Sequence, residues 1–244
     1  MRIKICLKSE NNIVLPFGYF STIQGLIYSL LDKIKSEWLH QEGFKYEKRS
    51  FKLFVFSEII ERAKTDTKSR KFIFPDAISF YFSTPVDWII EQFAKNLIFD
   101  EKIKLGENVV SLYSIETLKI PQLENNKIKI KALSPIEIHS TLKKEDGSSK
   151  TYYYSPFERE FSDLINKNLK KKWQAFYNKP CKYTISIFPV NSKSCRQIVT
   201  KEKGTVIKGW KGTFFIDGDK QLIKFAFDVG LGNRNSLGFG MIHI

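Results

Sequence analysis

Hydrophobic and polar residues alternate with two different periods along the chain, and each change of period marks an element. Residues 2–7 alternate charged and apolar side chains, which predicts a strand with one buried face. Residues 23–38 carry apolar side chains at helical spacing, and Ser21 and Gln24 precede them in the order of a capping box. The first elements are therefore predicted to be a strand followed by a long helix.

The following segments continue this succession of strands and helices. Residues 51–57 and 71–83 are rich in aromatic and β-branched residues, which favours strands. Residues 84–87 open a second helix, and residues 103–115 form a further extended segment. The resulting order β-α-β-β-α-β is that of the ferredoxin-like arrangement, which is also the plan of RNA-recognition modules.

A second unit begins where the composition changes near residue 122. We therefore predict an N-terminal domain over residues 1–122 and a C-terminal domain over residues 123–244. In the second, residues 127–133 alternate as a strand, and Ser155, Pro156 and Glu158 open a helix.

The remaining strands of the second unit are predicted at residues 183–188, 205–216 and 221–229, the last two joined as a hairpin by residues 217–219. This leaves no room for a second helix. We expect an α+β protein of two tandem ferredoxin-like, RRM-like domains, the second reduced, with a C-terminal glycine-rich loop.

The charge of the chain bears on its partner. Forty Lys and Arg against 26 Asp and Glu give a net charge of +14, which favours a polyanion such as nucleic acid. A basic cleft between two sheets would suit a folded or single-stranded RNA. A soluble basic protein without a nucleic-acid partner remains the alternative at this point.

Other common classes find little support in the sequence. Cys6, Cys181 and Cys195 include no C-x-x-C pair, which argues against disulfides and against zinc. No signal sequence opens the chain and no apolar run reaches about 20 residues, so we expect a cytoplasmic protein without a membrane partner. Motifs for metal catalysis and for phosphate or dinucleotide loops are missing, and we expect no metal and no cofactor.

Of the three histidines, His40 is the best candidate for chemistry. It is followed by Lys45, Lys48, Arg49 and Lys52, whose positive charges suit an imidazole acting on RNA. A solvated surface histidine is the alternative. The other two, His139 and His243, lie in alternating strands without an evident acid-base partner, and we expect structural roles for them.

Glycines crowd the C-terminal run GLGNRNSLGFG at residues 230–240, where the backbone must turn tightly or approach another molecule closely. Together with the basic charge and the two ferredoxin-like halves, this run resembles the glycine-rich signature of the CRISPR-associated repeat-cleaving endoribonucleases, the sixth Cas family. The segments QGLIY, Leu39-His40, KLFVFS and SPIEI resemble further motifs of that family in the same order, so that the resemblance spans nearly the whole chain.

The resemblance implies a metal-independent active site of Tyr28, His40 and Lys52. Cleavage would use the 2′-hydroxyl of the RNA as nucleophile, giving 2′,3′-cyclic phosphate and 5′-hydroxyl ends, a reaction that DNA cannot undergo. His40 would be the acid-base group, Tyr28 would orient or accept from the 2′-hydroxyl, and Lys52 would donate to the phosphate. The roles of Tyr28 and His40 could be exchanged.

This site requires a break in the first helix. Twelve residues of straight helix would hold Tyr28 and His40 about 18 Å apart, too far to share one phosphate. We therefore predict a bend or break between Asp32 and Glu37.

Several further residues are candidates for binding RNA. For residues 170–172, contacts to phosphates and compensation of the helix dipole are equally open. The predicted RNA-binding residues are Lys45, Lys48, Arg49, Gly230, Gly232, Arg234, Asn235, Gly238 and Gly240.

Three functions remain. The leading one is an endoribonuclease that cuts CRISPR repeat RNA into guide RNAs, with that RNA and other subunits of an interference complex as partners, and with monomer and dimer both open. The second is a guide-RNA-binding subunit that does not cleave. The third is an unrelated RNA-recognition protein, for which the characteristic K/R-G-F/Y-G/A-F motif is missing.

Overall fold

The computed structural model describes residues 1–119, 122–143, 147–202 and 204–244. The α-helices within these ranges are α1 (Phe20–Ser29), α2 (Lys33–Gln41), α3 (Asp87–Phe99), α4 (Arg159–Tyr177) and α5 (Lys220–Val229). The strands are β1 (Arg2–Lys8), β2 (Ile13–Pro16), β3 (Phe44–Tyr46), β4 (Arg49–Phe51), β5 (Val55–Phe56), β6 (Lys64–Asp66), β7 (Lys71–Phe74), β8 (Ala77–Ser83), β9 (Ile103–Leu105), β10 (Asn108–Leu118), β11 (Lys127–Ala132), β12 (His139–Lys143), β13 (Ser149–Tyr153), β14 (Ile185–Pro189), β15 (Cys195–Glu202), β16 (Thr205–Gly218) and β17 (Ile242–His243).

Two larger antiparallel sheets organise the molecule. The first has the order β5-β8-β1-β10-β9, and the second has the order β14-β16-β11-β17, with β15 paired to β16. If the four main strands of each half are numbered along the chain, both sheets have the spatial order 4-1-3-2. The two halves therefore repeat one strand order, and the structure is α+β.

The predicted alternation sets the core of the first half. Ile3, Ile5 and Leu7 of β1 are buried, and helix α3 packs on the sheet through Phe93, whose ring lies 4.8 Å from that of Phe82. Burial of such aromatic side chains contributes about 1.5–3 kcal/mol each.

The largest correction concerns the second half. Residues 221–229 were expected to be a strand joined to 205–216 by a hairpin, without a second helix, and this was wrong, since α5 occupies Lys220–Val229. The short apolar run fits the period of a strand and also that of a helix, because Leu222, Ile223 and Ala226 share one face of a helix. The second half is therefore not reduced.

Several strand predictions were too long. The expected strands at 51–57, 71–83 and 103–115 are each divided in two by a short connection. The expected capping box is also missing, because α1 begins at Phe20 and Ser21 Oγ donates instead to Gly18 O.

Helix α1 does break, slightly before the predicted window of Asp32 to Glu37. It ends at Ser29, and α2 starts at Lys33. Asp32 caps α2 because its Oδ1 accepts hydrogen bonds from Ile34 N (3.1 Å) and Lys35 N (3.4 Å).

The two halves share an extensive contact. Arg2 of β1 is buried and donates to the main-chain oxygens of Ile242 and Phe227. The rings of Phe20 and Phe239 lie 5.2 Å apart in an edge-to-face arrangement. One hydrophobic core thus runs through both halves.

Candidate functional site

Two helix ends bring Tyr28 and His40 together. Tyr28 lies in the last turn of α1 and His40 in the last turn of α2. Their ring centroids are 5.4 Å apart with an interplanar angle of 72°. Ser36 fixes the pairing of the helices, since its Oγ donates to Tyr28 O at 3.0 Å.

Lys52 reaches the same place from the connection between β4 and β5. Its Nζ donates to the main-chain oxygen of His40 at 2.8 Å and to Ser50 Oγ at 3.1 Å. The ammonium therefore contacts the backbone of His40 and lies beside its helix turn. The next residue, Leu53, has a left-handed φ of 53°, which turns the chain into β5.

The three side chains differ in their environment. Tyr28 is partly buried, and burial raises the pKa of its phenol well above the usual range. Burial lowers the pKa of the Lys52 ammonium. His40 is exposed. At neutral pH the phenol of Tyr28 is therefore a hydrogen-bond donor with its proton in place.

Tyr28 and His40 line a cavity of about 330 Å³ between α1 and α2. A larger cleft of about 770 Å³ lies between the two halves, and Lys52 lines it. The cationic residues that line this cleft are Arg49, Lys52, Lys167, Lys171, Lys172 and Arg234. No Asp or Glu of the described residues lines it. Its electrostatic potential therefore suits a polyanion.

The cavity and the cleft adjoin. Gln24 lines the cavity, and its Nε2 donates to the main-chain oxygen of Ser236, which lines the cleft, at 2.7 Å. The side chain that sequence analysis placed in a capping box instead links α1 to the glycine-rich run.

The glycine-rich run is held from inside the protein. Lys172 of α4 is buried, and its Nζ donates to the main-chain oxygens of Gly230 (3.0 Å) and Gly232 (2.9 Å) and to the side chain of Asn235. Gly238 has a φ of 82°, and a Cβ on it would lie 2.5 Å from Cε2 of Phe56. The run therefore packs tightly against the first half.

The predicted RNA-binding residues fall into two groups. Lys45, Lys48 and Arg49 are exposed around the β3–β4 hairpin, where Lys45 pairs with Glu42 at 2.8 Å. Arg234 is partly exposed in the cleft. The other five are buried, namely Gly230, Gly232, Asn235, Gly238 and Gly240.

The group of lysines at residues 170–172 serves more than one purpose. Lys171 lines the cleft and lies 6.0 Å from the ring of Tyr46. Lys172 neither contacts phosphates nor compensates the helix dipole, because its ammonium binds the glycine-rich run.

His139 was missed as a site residue. It was expected to lack an acid-base partner, but its Nδ1 is hydrogen-bonded to the buried carboxylate of Glu137, and its side chain lines the cleft. Residues two apart on an extended segment point to the same side, so the spacing Glu-x-His was the available signal. His243 lies elsewhere and stacks on Tyr81, with ring centroids 6.3 Å apart.

The described residues contain neither a group placed to bind a metal ion nor a helix able to span a membrane. They include no group of three or more His, Cys, Asp or Glu side chains placed to hold a metal ion. None of the helices there has the length and apolar character needed to cross a membrane.

Two family models match nearly the whole chain. The N-terminal model of the CRISPR-associated protein Cas6 (type I-A) matches residues 14–116, and the Cas6 C-terminal model matches residues 118–244. The chain belongs to the Cas6 family.

Curated Cas6 relatives match this chain over most of their length. The CRISPR-associated endoribonuclease Cas6 1 of Methanocaldococcus jannaschii is 30% identical over 252 residues, covering 99% of this chain and 92% of the relative. The CRISPR-associated endoribonuclease Cas6 of Pyrococcus furiosus is 28% identical and covers 100% and 90%.

Solved Cas6 structures share the fold. A structure described as CRISPR associated protein Cas6 superposes with a TM-score of 0.79 at 29% identity, covering 100% of this chain and 98% of the other. A Cas6-related protein from Pyrococcus furiosus superposes with a TM-score of 0.83 at 24% identity and the same coverage.

Proposed function

We propose that the protein is a metal-independent endoribonuclease that cleaves CRISPR repeat RNA in precursor transcripts to release guide RNAs. The observation that carries the proposal is the meeting of Tyr28, His40 and Lys52 at one point, through the ring contact of 5.4 Å and the hydrogen bond of 2.8 Å to His40 O. The curated relatives named as endoribonucleases support the same activity.

The chemistry assigns the roles. The 2′-hydroxyl attacks the adjacent phosphorus, the P–O5′ bond breaks, and the products are a 2′,3′-cyclic phosphate and a 5′-hydroxyl. His40, the exposed imidazole, exchanges protons with the reacting oxygens as the general acid-base group. Tyr28 keeps its proton because burial raises the pKa of the phenol, so it orients an oxygen as a hydrogen-bond donor.

Lys52 serves the transition state as a cation. Its ammonium lies at the boundary of the cavity and the cleft and donates to the phosphoryl oxygens as negative charge develops on them. RNA on either side of the cut follows the cations of the cleft. Lys45, Lys48 and Arg49 at the hairpin and Arg234 opposite them contact its backbone.

The glycine-rich run has a shaping role in this proposal. Gly232 and Asn235 line the cleft, whereas Gly230, Gly238 and Gly240 are buried and do not line it. The exposed part of Arg234 makes the contact with RNA. In this proposal the glycine-rich run both shapes the cleft and contacts RNA.

We infer that each half is a ferredoxin-like domain and that the boundary lies near residue 122. The shared strand order 4-1-3-2 supports this, because it is the order in which β-α-β-β-α-β units of this type lie. The N-terminal domain carries the catalytic residues, and the C-terminal domain supplies the glycine-rich wall.

One experiment tests the proposal. The purified protein is incubated in EDTA with repeat RNA from its host and with the same RNA carrying a single 2′-deoxyribose at the cut. We expect cleavage of the ribose substrate alone, with cyclic phosphate ends detected by mass spectrometry. The His40→Ala variant should lose about 10²–10⁴-fold in rate, whereas His243→Ala, outside the cavity, should not.

The result also decides between this function and the alternative of a non-cleaving guide-RNA subunit. Tight binding without cleavage of any host repeat would establish the alternative. Loss of cleavage in EDTA, or equal cutting of both substrates, would contradict the metal-independent mechanism.

A further inference from the structure

A histidine and a buried carboxylate form a pair on the wall of the cleft. His139 begins β12, and its Nδ1 is hydrogen-bonded to Oε1 of Glu137, which is completely buried. Of the pair, His139 alone lines the same cleft as Lys52, and it is outside the cavity of Tyr28 and His40. It therefore faces the path proposed for RNA.

The carboxylate of Glu137 has few partners. Its Oε2 lies 3.6 Å from Nε of Arg234, too far for a hydrogen bond, and neither atom has another hydrogen-bond partner among the described residues. A buried carboxylate needs compensating positive charge. The imidazole of His139 is the group in direct hydrogen-bond contact with it.

The second nitrogen of this imidazole faces outward. The side chain of His139 is 23% exposed, and its Nε2 makes no hydrogen bond to any described residue. An imidazole held at Nδ1 by a carboxylate has a fixed ring orientation, and when doubly protonated it donates from Nε2.

We propose that His139 is an RNA-binding residue that donates from Nε2 to a backbone phosphate, with Glu137 as the positioning residue that holds its ring at Nδ1. The inference rests on the proposed function in that it takes RNA as the ligand of the cleft. It adds a phosphate contact on the C-terminal half, away from the scissile bond.

The surroundings make this contact dependent on protons. The charged and titratable groups around His139 are Glu137 and Tyr153 beside it, Arg234 on the glycine-rich run, and Lys167, Lys171 and Lys172 on α4. The cations oppose a further positive charge on the free protein. The negative charge of an RNA phosphate beside the imidazole offsets this opposition.

Binding is best measured in the His40→Ala protein, which removes cleavage and the second imidazole together. The probe is a fluorescein-labelled oligouridylate, titrated by anisotropy at about pH 6 and about pH 8, on either side of the usual imidazole range. In this background His139→Gln should weaken binding roughly tenfold at the lower pH and less at the higher. The slope of log affinity against log salt should fall by about 0.7.

Two further variants distinguish a direct contact of His139 with phosphate from a purely structural role of this residue. Glu137→Gln keeps the shape but removes the charge, and it should flatten the pH dependence of binding. His139→Arg, which carries a permanent charge, should bind tightly at both pH values and serves if His139→Gln does not fold. Removal of His243 provides the matched control outside the cleft.

The idea is overturned if His139→Gln binds as tightly as its parent at both pH values, or if His139→Arg restores nothing. The cleavage assay of the wild-type protein is read separately. Absence of cleavage there would refute the proposed function while leaving the binding result on His139 intact.

Discussion

Tyr28 and His40 touch through their rings but have different exposure to water. Tyr28 packs inward, with its ring 5.8 Å from that of Phe54, whereas His40 is exposed. Burial disfavours the phenolate and raises the pKa of Tyr28. At neutral pH very little of a phenol with this pKa is in the phenolate form that accepts a proton, which is why our proposal gives the acid-base role to His40.

Replacing Tyr28 by Phe tests this division of roles. Tyr28→Phe keeps the ring and loses the donor, and we expect the single-turnover rate to fall at least about tenfold. Because the phenol stays protonated, the shape of the pH–rate curve between about pH 6 and about pH 9 should be the same in both proteins. A rising alkaline limb present only in the wild type would make Tyr28 the base. Tyr113→Phe, on an exposed position of β10, is the control.

At the scale of elements, the break between α1 and α2 makes the site. A straight helix would separate Tyr28 from His40, and Asp32 restarts the chain in a new direction by accepting hydrogen bonds from Ile34 N and Lys35 N. The position of His40 thus depends on a cap eight residues before it.

Substitution of Asp32 measures what the cap contributes. Asp32→Ala should destabilise the protein by about 1 kcal/mol, which for a chain of this length lowers the melting temperature by roughly 2–4 °C. It should also slow cleavage, because α2 carries His40. Asp32→Asn keeps an oxygen that caps as well and should behave as wild type. Equal losses in both variants would mean that the charge, and not the cap, matters.

The sequence predicted this break for a geometric reason, and it predicted most elements where the hydrophobic period was unambiguous. Alternation identified β1 and β11, and helical spacing identified α3 and α4. Helix α5 was missed because its short apolar run satisfies both periods, and the tertiary environment decided between them.

The site residues, too, were predicted only where the local sequence carried the signal. Tyr28, His40 and Lys52 were predicted through a resemblance of motifs, and their roles stay predictions. The pairing of His139 with Glu137 was missed because nothing local indicates that a carboxylate will be buried. Burial is a property of the whole fold.

At the scale of the whole molecule, the cleft exists because the glycine-rich run of one half packs on the other half. Gly238 is the closest point, where no side chain fits beside Phe56. Lys172 holds the same run from the opposite side. The wall of the cleft is thereby fixed relative to Lys52.

Alanine substitutions at two glycines test the packing of the glycine-rich run on the first half. Gly238→Ala adds a Cβ 2.5 Å from Phe56 at a φ of 82°, and we expect a loss of at least about 2 kcal/mol in the free energy of unfolding. Gly25→Ala, in helix α1 with nothing within 4 Å of the added Cβ, should gain about 0.5–1 kcal/mol. Chemical denaturation measures both. If Gly238→Ala were as stable as the wild type, the contact between Gly238 and Phe56 would adjust to the added Cβ at little energetic cost.

The clamp formed by Arg2 has a consequence for how the protein is made. Its guanidinium donates to oxygens of Phe227 and Ile242, which follow it by 225 and 240 residues, so its acceptors leave the ribosome long after it does. When the first half emerges, the guanidinium of Arg2 and the rings of Phe20 and Phe56 are therefore not yet covered by residues of the second half. Synthesis of β17 completes the second sheet. A nascent chain interrupted before the glycine-rich run would carry Tyr28, His40 and Lys52 without the wall that this run gives to the cleft.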